Sequence, residues 1–237
     1  MSRPRFYVPE LSEGLIALPT EEARHARRSL RLRAGDVVEL FDGVGRSALA
    51  TLEPEGDDRH HGVSVRVDRV RAEPERSEQL TIIVAACKGP RLTAMIEKLT
   101  ELGVDEIVLT RFERSVVLLK ASSAEKLART ALEACKQCGR NRVPRIRAGG
   151  DLMRDVAVWR AGRATESAIV LADQNGDGPA PLGVKSTAVV IGPEGGVTDS
   201  ERADLVAQGA VPMRLARHIL RVETAAIAAA ARFSDFS

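Results

Sequence analysis

Short apolar runs separated by turns dominate the first 72 residues, which indicates a β-rich unit. In residues 63–67 valine alternates with serine and arginine, as in a strand with one buried face. A helix is predicted at residues 21–29. The predicted strands are residues 5–8, 37–41, 47–52 and 63–70. We therefore predict a small β-barrel with one helix.

The hydrophobic period changes after residues 71–78, a charged segment with one proline that we interpret as a linker between two domains. Beyond it, buried strands alternate with amphipathic helices, and this order predicts a mainly parallel α/β sheet. The predicted strands are residues 81–86, 104–109, 168–172, 188–191 and 211–215. The predicted helices are residues 92–102, 124–140 and 223–233, and one that runs from a capping box at 198–201 to Gly209.

Composition places the chain among soluble globular proteins, with 44% hydrophobic and 29% charged residues in 237. No apolar run approaches the roughly 18 residues of a membrane helix, so we expect no membrane partner. The three cysteines are too few for a disulfide framework, which favours a reducing, cytoplasmic location. Cys135 and Cys138 could suggest zinc or redox chemistry, but we interpret them as packing residues of a helix and predict no metal site.

Positive charge is concentrated in two blocks, although the net charge is only +2. Residues 24–33 contain five arginines and one histidine, and residues 136–147 contain one lysine and four arginines, with no acidic residue in either block. Such blocks indicate RNA or another polyanion as partner. The alternative is that they are two solvated faces.

A glycine-rich turn, residues 192–196, directly follows a predicted buried strand. Ligands of open α/β sheets bind beyond the carboxyl ends of the strands, and glycine allows a ligand to approach the backbone. Residues 215–224 follow another strand, and residues 171–173 could supply a third wall. The turn matches neither a phosphate loop nor a dinucleotide fingerprint. The alternative is an ordinary strand-to-helix turn.

The sequence Gly-Pro-Glu-Gly-Gly at 192–196, with Ile-Leu-Arg-x-Glu-Thr at 219–224, resembles the SPOUT superfamily of S-adenosylmethionine-dependent RNA methyltransferases. Within it, the chain is similar to the RsmE family, which methylates N3 of a uridine in small-subunit ribosomal RNA. Further similar segments are residues 97–104, 113–115 and 134–144, with residues 25–31 and 35–43 similar to the PUA-like barrel of that family. The family usually has glycine and arginine where this chain has Ala216 and His218.

The resemblance implies an α/β protein with an N-terminal PUA-like RNA-binding β-barrel domain, residues 1–72, and a C-terminal SPOUT methyltransferase domain with a trefoil knot, residues 78–237. It implies S-adenosylmethionine as cofactor, 16S rRNA of the small ribosomal subunit as partner, and a homodimer. Because N3 lies on the Watson–Crick edge of uracil, the target must be single-stranded or flipped out.

The candidate catalytic residues are Arg221, which would stabilise charge on the base, and Glu194 and Glu223, either of which would orient the target or accept its proton. The candidate cofactor-binding residues are Leu171, Ile191, Gly192, Gly195, Gly196, Leu215, His218, Ile219, Leu220 and Thr224. The candidate RNA-binding residues are Arg24, Arg28, Arg31, Arg114, Arg140, Asn141 and Arg142.

Two alternatives stay open. The first is a SPOUT methyltransferase with another RNA target, such as a ribose hydroxyl. The second is a non-catalytic RNA-binding or ribosome-assembly factor on the same fold. The intact Gly192–Gly196 turn and the run from Ile219 to Thr224 argue against the second alternative.

Overall fold

The computed structural model describes residues 3–54, 62–74, 78–163, 166–178 and 183–234. The chain forms two units. The first comprises residues 1–75 together with 135–143, and the second comprises residues 76–134 together with 144–237. The N-terminal unit therefore includes a short segment from far along the chain, which the predicted domain 1–72 did not contain. No helix in the described ranges is long and apolar enough to cross a membrane.

The N-terminal unit is built on a five-stranded mixed sheet with the strand order β1-β3-β4-β5-β2. Strands β1 and β3 pair in parallel, and the other neighbours pair in antiparallel fashion. Its core includes Phe6, Val38, Leu40 and Val65, all fully buried. The elements are β1 (Arg5–Tyr7), β2 (Gly14–Ala17), α1 (Thr20–Arg24), a π-helical turn (His25–Ser29), β3 (Val37–Phe41), β4 (Arg46–Leu52) and β5 (Ser64–Ala72).

Three details of this unit differ from the predictions. Strand β2 was not predicted, because it is an edge strand with mostly exposed residues and carries no alternating pattern. The helix predicted at 21–29 is a short α-helix that continues as a π-helical turn. Strand β5 extends to Ala72, so the first two residues of the predicted linker 71–78 belong to a strand; residues 75–77 of that linker lie outside the described residues.

The second unit contains a six-stranded sheet with the order β11-β9-β10-β6-β7-β8. Every registered pair in it is parallel, which confirms the predicted parallel α/β sheet. Its strands are β6 (Gln79–Ala85), β7 (Glu106–Arg111), β8 (Arg145–Asp151), β9 (Ser167–Ala172), β10 (Ser186–Ile191) and β11 (Ala210–Met213). The helices are α2 (Pro90–Glu101), α3 (Ser123–Cys138), α4 (Leu152–Ala161), α5 (Asp199–Ala207) and α6 (Val222–Phe233), and α3 passes from the second unit into the first.

Strand β8 and helix α4 were missed by the sequence reading. The β8 sequence, Arg-Ile-Arg-Ala-Gly-Gly-Asp, has no apolar alternation. Its second arginine, Arg147, is paired with carboxylates of two other elements. Arg147 lies 2.9 Å from both Glu106 and Asp155, two buried carboxylates. Burial alone would lower the pKa of Arg147, but these two acids raise it above its usual value. The pairing is tertiary, so no local pattern could predict it.

Helix α6 packs closely on α2 and on strands β6 and β10 because its inner face consists of small residues. Ala226, Ala229 and Ala230 are fully buried there. Alanine favours the helix and leaves the helix axis close to its neighbours. On α2, Met95, Ile96 and Leu99 share one face and are completely buried. This packing fixes the start of α6, which follows the loop after β11.

The predicted capping box at the start of α5 is confirmed. The Thr198 hydroxyl accepts from the Glu201 amide at 3.2 Å, and the Glu201 carboxylate accepts from the Thr198 amide at 2.9 Å. Glu201 is buried and its other oxygen accepts from the Glu113 amide at 2.8 Å. The cap therefore fixes the residues that follow the 192–196 turn and ties them to the loop after β7.

Trp159 of α4, the one tryptophan of the chain, anchors that helix to the sheet. Its side chain is 1% exposed, and the indole Nε1 donates to the Thr81 hydroxyl at 2.9 Å. A buried indole N–H needs such an acceptor. Thr81 is equally buried, in strand β6.

We expect Thr81→Val to lower the free energy of unfolding by about 1–3 kcal/mol, because it leaves the Trp159 N–H buried without an acceptor. Urea denaturation followed by circular dichroism measures this change. In a Trp159→Phe background the same substitution should have a much smaller effect, since the donor is gone. Equal losses in the two backgrounds would contradict a role for the hydrogen bond.

Candidate active site

Three neighbouring parallel strands end at the same edge of the sheet. Strand β9 ends at Ala172, β10 at Ile191 and β11 at Met213, and these strands are adjacent in the order β11-β9-β10. Beyond their ends lies a cleft of about 340 Å³. This volume falls in the range of about 300–1,000 Å³ that is common for small-molecule sites. The position is the one expected for a ligand of an open α/β sheet.

The 192–196 turn forms one wall of the cleft and requires glycine for steric reasons. The Gly196 amide donates to the Pro193 carbonyl at 2.8 Å, and Gly196 has φ +77°, a conformation that L side chains rarely adopt. A Cβ on Gly192 would lie 2.5 Å from the Val197 side chain. A Cβ on Gly195 would lie 3.2 Å from the Cβ of Arg114. The turn is therefore packed tightly on its outer side, and its backbone lines the cleft.

The structure brings most of the predicted cofactor-binding residues together at this cleft. Leu171 is an exception, because it is buried in β9 one residue before the lining residue Ala172. Thr224 is another, because it is exposed on α6 and is absent from the residues that line the cleft. The predicted residues that line it are Ile191, Gly192, Gly195, Gly196, Leu215, His218, Ile219 and Leu220.

The third wall predicted at 171–173 is supplied by Ala172 and Asp173. Burial would raise the pKa of Asp173, but the Arg202 guanidinium at 2.7 Å and the Asn175 amide hold it below its usual value. This carboxylate is therefore ionised at neutral pH. The cleft wall carries a fixed negative charge that is already paired with Arg202.

Ala216 and His218 both line the cleft. Among the described residues, Arg31 is the one non-glycine residue with positive φ, so Ala216 has an ordinary backbone conformation. Glycine is therefore not required sterically at position 216. His218 is exposed at the cleft wall, where its ring can contact a ligand.

Two carboxylates predicted to be catalytic share one arginine. The Arg91 guanidinium lies 3.7 Å from Glu194 and 3.6 Å from Glu223. Glu194 lies on the glycine turn and Glu223 in the first turn of α6. The Glu223 side chain is 16% exposed, and its Oε2 is buried without a hydrogen-bond partner among the described residues. That oxygen is a free acceptor beside the cleft.

Sequence reasoning missed Arg91. It lies in the first turn of α2, immediately after Gly89 and Pro90, in the connection that follows β6. Strand β6 is the neighbour of β10, so this connection reaches the same sheet edge as the glycine turn. An arginine in a strand-to-helix connection is the only sign of this role in the sequence. Its position near the glycine turn follows only from the order of the strands in the sheet. Nearby, burial and then the Glu223 carboxylate raise the pKa of the Cys87 thiol, which is therefore neutral.

Arg221, the third predicted catalytic residue, is the N-cap of α6 and is exposed. It is two residues from Glu223 but does not belong to the residues that line the cleft. Arg114 is exposed after β7 and donates from Nη1 to the Gly195 carbonyl at 3.0 Å. This contact connects the segment 113–115 to the glycine turn.

In the N-terminal unit, the first basic block is largely available to a partner. Arg28 and Arg31 are exposed, and Arg24 is half-exposed with an ion pair to Glu21 at 3.0 Å. Arg31 has φ +54°, and the preceding turn is π-helical. Both conformations are uncommon and are often found at functional sites.

The second basic block is less positive than its sequence indicates, because acids from distant positions lie against it. Glu22 pairs with Lys136, and Glu73 pairs with Arg142. Arg142 also donates to the Val44 carbonyl at 2.8 Å, and Arg140 is partly buried. Acids that are remote in sequence therefore offset part of the positive charge of residues 136–147, and its contact with RNA stays a prediction.

Asn141 is 9% exposed, and both ends of its amide are engaged. Its Oδ1 accepts from Arg5, and its Nδ2 donates to Glu73 at 2.8 Å. This geometry favours a role in holding the 135–143 segment rather than in direct contact with RNA. Burial raises the pKa of Cys135 to about 11, so this cysteine is a neutral packing residue.

Comparisons with known proteins agree over nearly the whole chain. A family model described as the RNA methyltransferase domain matches residues 74–234, and one described as the RNA methyltransferase PUA domain matches residues 18–61. The ribosomal RNA small subunit methyltransferase E of Mycobacterium tuberculosis is 31% identical, over 94% of this chain and 88% of that protein. The protein of the same name from Bacillus subtilis is 29% identical, over 97% and 95%.

Solved structures give the same result. Ribosomal RNA small subunit methyltransferase E from Neisseria gonorrhoeae, solved with S-adenosylmethionine bound, has a TM-score of 0.85 at 28% identity and covers 98% of this chain and 96% of that chain. A methyltransferase from Legionella pneumophila, solved with the same cofactor, has a TM-score of 0.83 at 29% identity, with 98% and 97% covered.

The family models together cover the 192–196 turn, the 215–224 run and strands β3 and β4 of the N-terminal sheet. The identity of more than 30% over almost the full length extends that agreement to both units. This chain therefore belongs to the RsmE family of SPOUT-type RNA methyltransferases.

Proposed function

We propose that this protein uses S-adenosylmethionine to methylate N3 of a uridine in 16S rRNA of the small ribosomal subunit, in the cytoplasm and as a homodimer. The observation that carries the proposal is the cleft at the ends of β9, β10 and β11, with two carboxylates and one guanidinium at its side. Relatives solved with S-adenosylmethionine support the choice of cofactor.

The residues of the cleft fit this cofactor. The backbone of the glycine turn and the residues 215–220 would hold it, because both segments present main-chain groups and small or apolar side chains to the cleft. Side chains on Gly192 or Gly195 would disturb the close packing behind that wall. When bound, the cofactor supplies a methyl group on a sulfonium centre, which carries the difficult part of the chemistry.

The protein has to position uracil and deal with the proton on N3. We assign proton acceptance to Glu223, because its Oε2 is buried with no hydrogen-bond partner in the described part of the chain, while its other oxygen is near Arg91. Glu194, which is half-exposed and pairs with the same Arg91 nitrogen, would orient the target base. Arg221 would stabilise negative charge that develops on the uracil carbonyl oxygens. Arg91 acts through the two carboxylates and is a positioning residue.

One exposed apolar side chain of the cleft supports the proposal of a homodimer. Ile219 lines the cleft and is 86% exposed. An isolated exposed isoleucine needs no explanation, but one on the wall of a binding site is expected to be covered in the working protein. A second copy of the chain is the cover that the family resemblance implies.

The RNA contacts are assigned chiefly to Arg28 and Arg31, the exposed arginines next to the π-helical turn, with Arg24 beside them. Arg114 lies beside the glycine turn and is a candidate for contact with RNA near the target. Arg140 and Arg142 remain candidates for contact with RNA. Carboxylates close to the second basic block offset part of its positive charge. Aromatic residues are only 3% of the chain, so arginine must supply much of the contact with phosphates.

Glu223→Gln should lower the rate of methyl transfer by about 100-fold or more, because a neutral amide is a poor proton acceptor. Single-turnover transfer from radiolabelled S-adenosylmethionine to small ribosomal subunits measures the rate, and calorimetry measures cofactor binding. We expect binding of the cofactor to be retained. Glu125→Gln, at an exposed position of α3, is the matched control and should react like the wild type. Normal turnover in Glu223→Gln would reject the assigned role, and no cofactor binding by the wild type would reject the proposed function.

Replacing both Arg28 and Arg31 by alanine should weaken RNA binding and reduce its dependence on salt. Each lost phosphate contact should lower the slope of log affinity against log salt by about 0.7 for single-stranded RNA. Filter binding of a ribosomal RNA fragment at several salt concentrations provides the measurement. Arg129→Ala, an exposed arginine of α3, serves as the control. An unchanged slope in the double variant would show that the first basic block does not contact RNA.

A further inference from the structure

A second cavity lies at the same edge of the parallel sheet, beyond the ends of β6, β7 and β8. Its volume is about 260 Å³. One water occupies about 30 Å³ of liquid, so this space is far larger than a buried water site requires. It is somewhat smaller than the sites of drug-sized ligands, which begin at about 300 Å³. A fragment such as one nucleotide is the appropriate size.

The Thr110 hydroxyl points to a polar ligand for this cavity. Thr110 lines the cavity and is 3% exposed, and its Oγ1 is buried without a hydrogen-bond partner among the described residues. The three preceding residues of β7 are apolar and buried, so threonine introduces a hydroxyl at the position where the strand reaches the cavity. Buried polar groups are usually satisfied, and an unsatisfied one requires an explanation.

The cavity is formed by an irregularity of the sheet. The register between β7 and β8 shifts between Leu109 and Thr110, as in a β-bulge. Gly149, at the bulge, has φ +80°, and a Cβ there would lie 2.8 Å from the Ala121 amide nitrogen. The backbone of residues 119–121 therefore runs directly over Gly149 and closes one side. Bulges are common next to functional sites, where they redirect side chains.

The walls divide into an apolar side and a positive rim. Val117, Leu118 and Leu119 form the apolar side, and Leu118 is 65% exposed. Arg111 and Arg154 are exposed at the rim, where Arg111 is 3.5 Å from Asp151. An apolar face suits a base, a hydroxyl suits a sugar or a base edge, and two guanidinium groups suit a phosphate.

We infer that this cavity, lined by Thr110, Arg111, Leu118 and Arg154, binds one nucleotide of the RNA substrate other than the target uridine. The inference rests on the proposed function, since it assumes that RNA is the substrate. The cavity and the cofactor cleft open at the carboxyl ends of one sheet, so a single RNA strand passing along that edge can reach both. The bound nucleotide would fix the register of the strand and hence which uridine reaches the cofactor cleft.

The variants Thr110→Val and Arg154→Ala test the inference, because a lost substrate contact outside the reaction centre should change KM but leave kcat unchanged. Each should raise the KM for small ribosomal subunits by about five-fold, the effect of one lost hydrogen bond or phosphate contact, with kcat and cofactor affinity unchanged. Thr110→Val should not destabilise the fold, because valine replaces a hydroxyl that has no partner. Arg129→Ala is the matched control for the charge.

The outcomes separate this inference from the proposed function. Wild-type KM in both variants, with active enzyme, would overturn the inference and leave the proposed function intact. If the wild type transfers no methyl group, binding of an RNA fragment replaces KM as the readout, and a five-fold weaker affinity still supports the cavity. A changed dimer mass in light scattering, without a change in KM, would assign the cavity to contact with a second copy and overturn the inference. If uridine 5′-monophosphate competes with the RNA for binding, the result would support recognition of a nucleotide by the cavity. If inorganic phosphate competes equally well, the cavity is only an anion site, and the inference would be overturned.

Discussion

Strands β11, β9, β10 and β6 lie side by side and run in the same direction, and this parallel order determines where the cleft forms. Because these strands are neighbours and run the same way, the connections that follow them all open at one edge. The glycine turn, the 215–221 loop and the start of α2 are remote in sequence but reach the same place. The small-residue face of α6 keeps that helix close to β6 and β10, and so fixes Glu223 beside the cleft.

The ion pairs of Arg91 position the Glu194 and Glu223 carboxylates and contribute little to the stability of the fold. Ion pairs between partly exposed groups typically contribute only about 0–1 kcal/mol, and the Arg91 side chain is 40% exposed. Two carboxylates close to one cleft would otherwise repel each other and any negative charge that forms on the substrate. Because both carboxylates pair with Nη1 of Arg91, Glu194 and Glu223 can both stay near the cleft. Among the described residues Oε2 of Glu223 has no hydrogen-bond partner, so it can accept a hydrogen bond or a proton.

The sequence predicted the parallel sheet, helix α2, the capping box of α5 and most residues that line the cleft. The sheet, helix α2 and the capping box depend on local patterns, and the structure confirms them. The cleft residues come from motifs of the family; the structure places them at one cleft, and their role in cofactor binding stays a prediction. Prediction from the sequence failed for features that depend on contacts with residues remote in the chain. Strand β8 depends on the ion pair between Arg147 and Glu106, and Glu22 and Glu73 offset part of the charge of the second basic block. Arg91 becomes relevant only once β6 lies beside β10. The trefoil knot that the resemblance implies stays a prediction.

The proposed role of the cleft is to direct a methyl group to N3 of uracil. Purified protein should therefore be incubated with S-adenosylmethionine and small ribosomal subunits that lack the modification, and the RNA digested to nucleosides for mass spectrometry. We expect 3-methyluridine as the new nucleoside. A 2′-O-methylated nucleoside would contradict the assignment of N3 as the acceptor, and the absence of any new methylated nucleoside would contradict catalysis by this site.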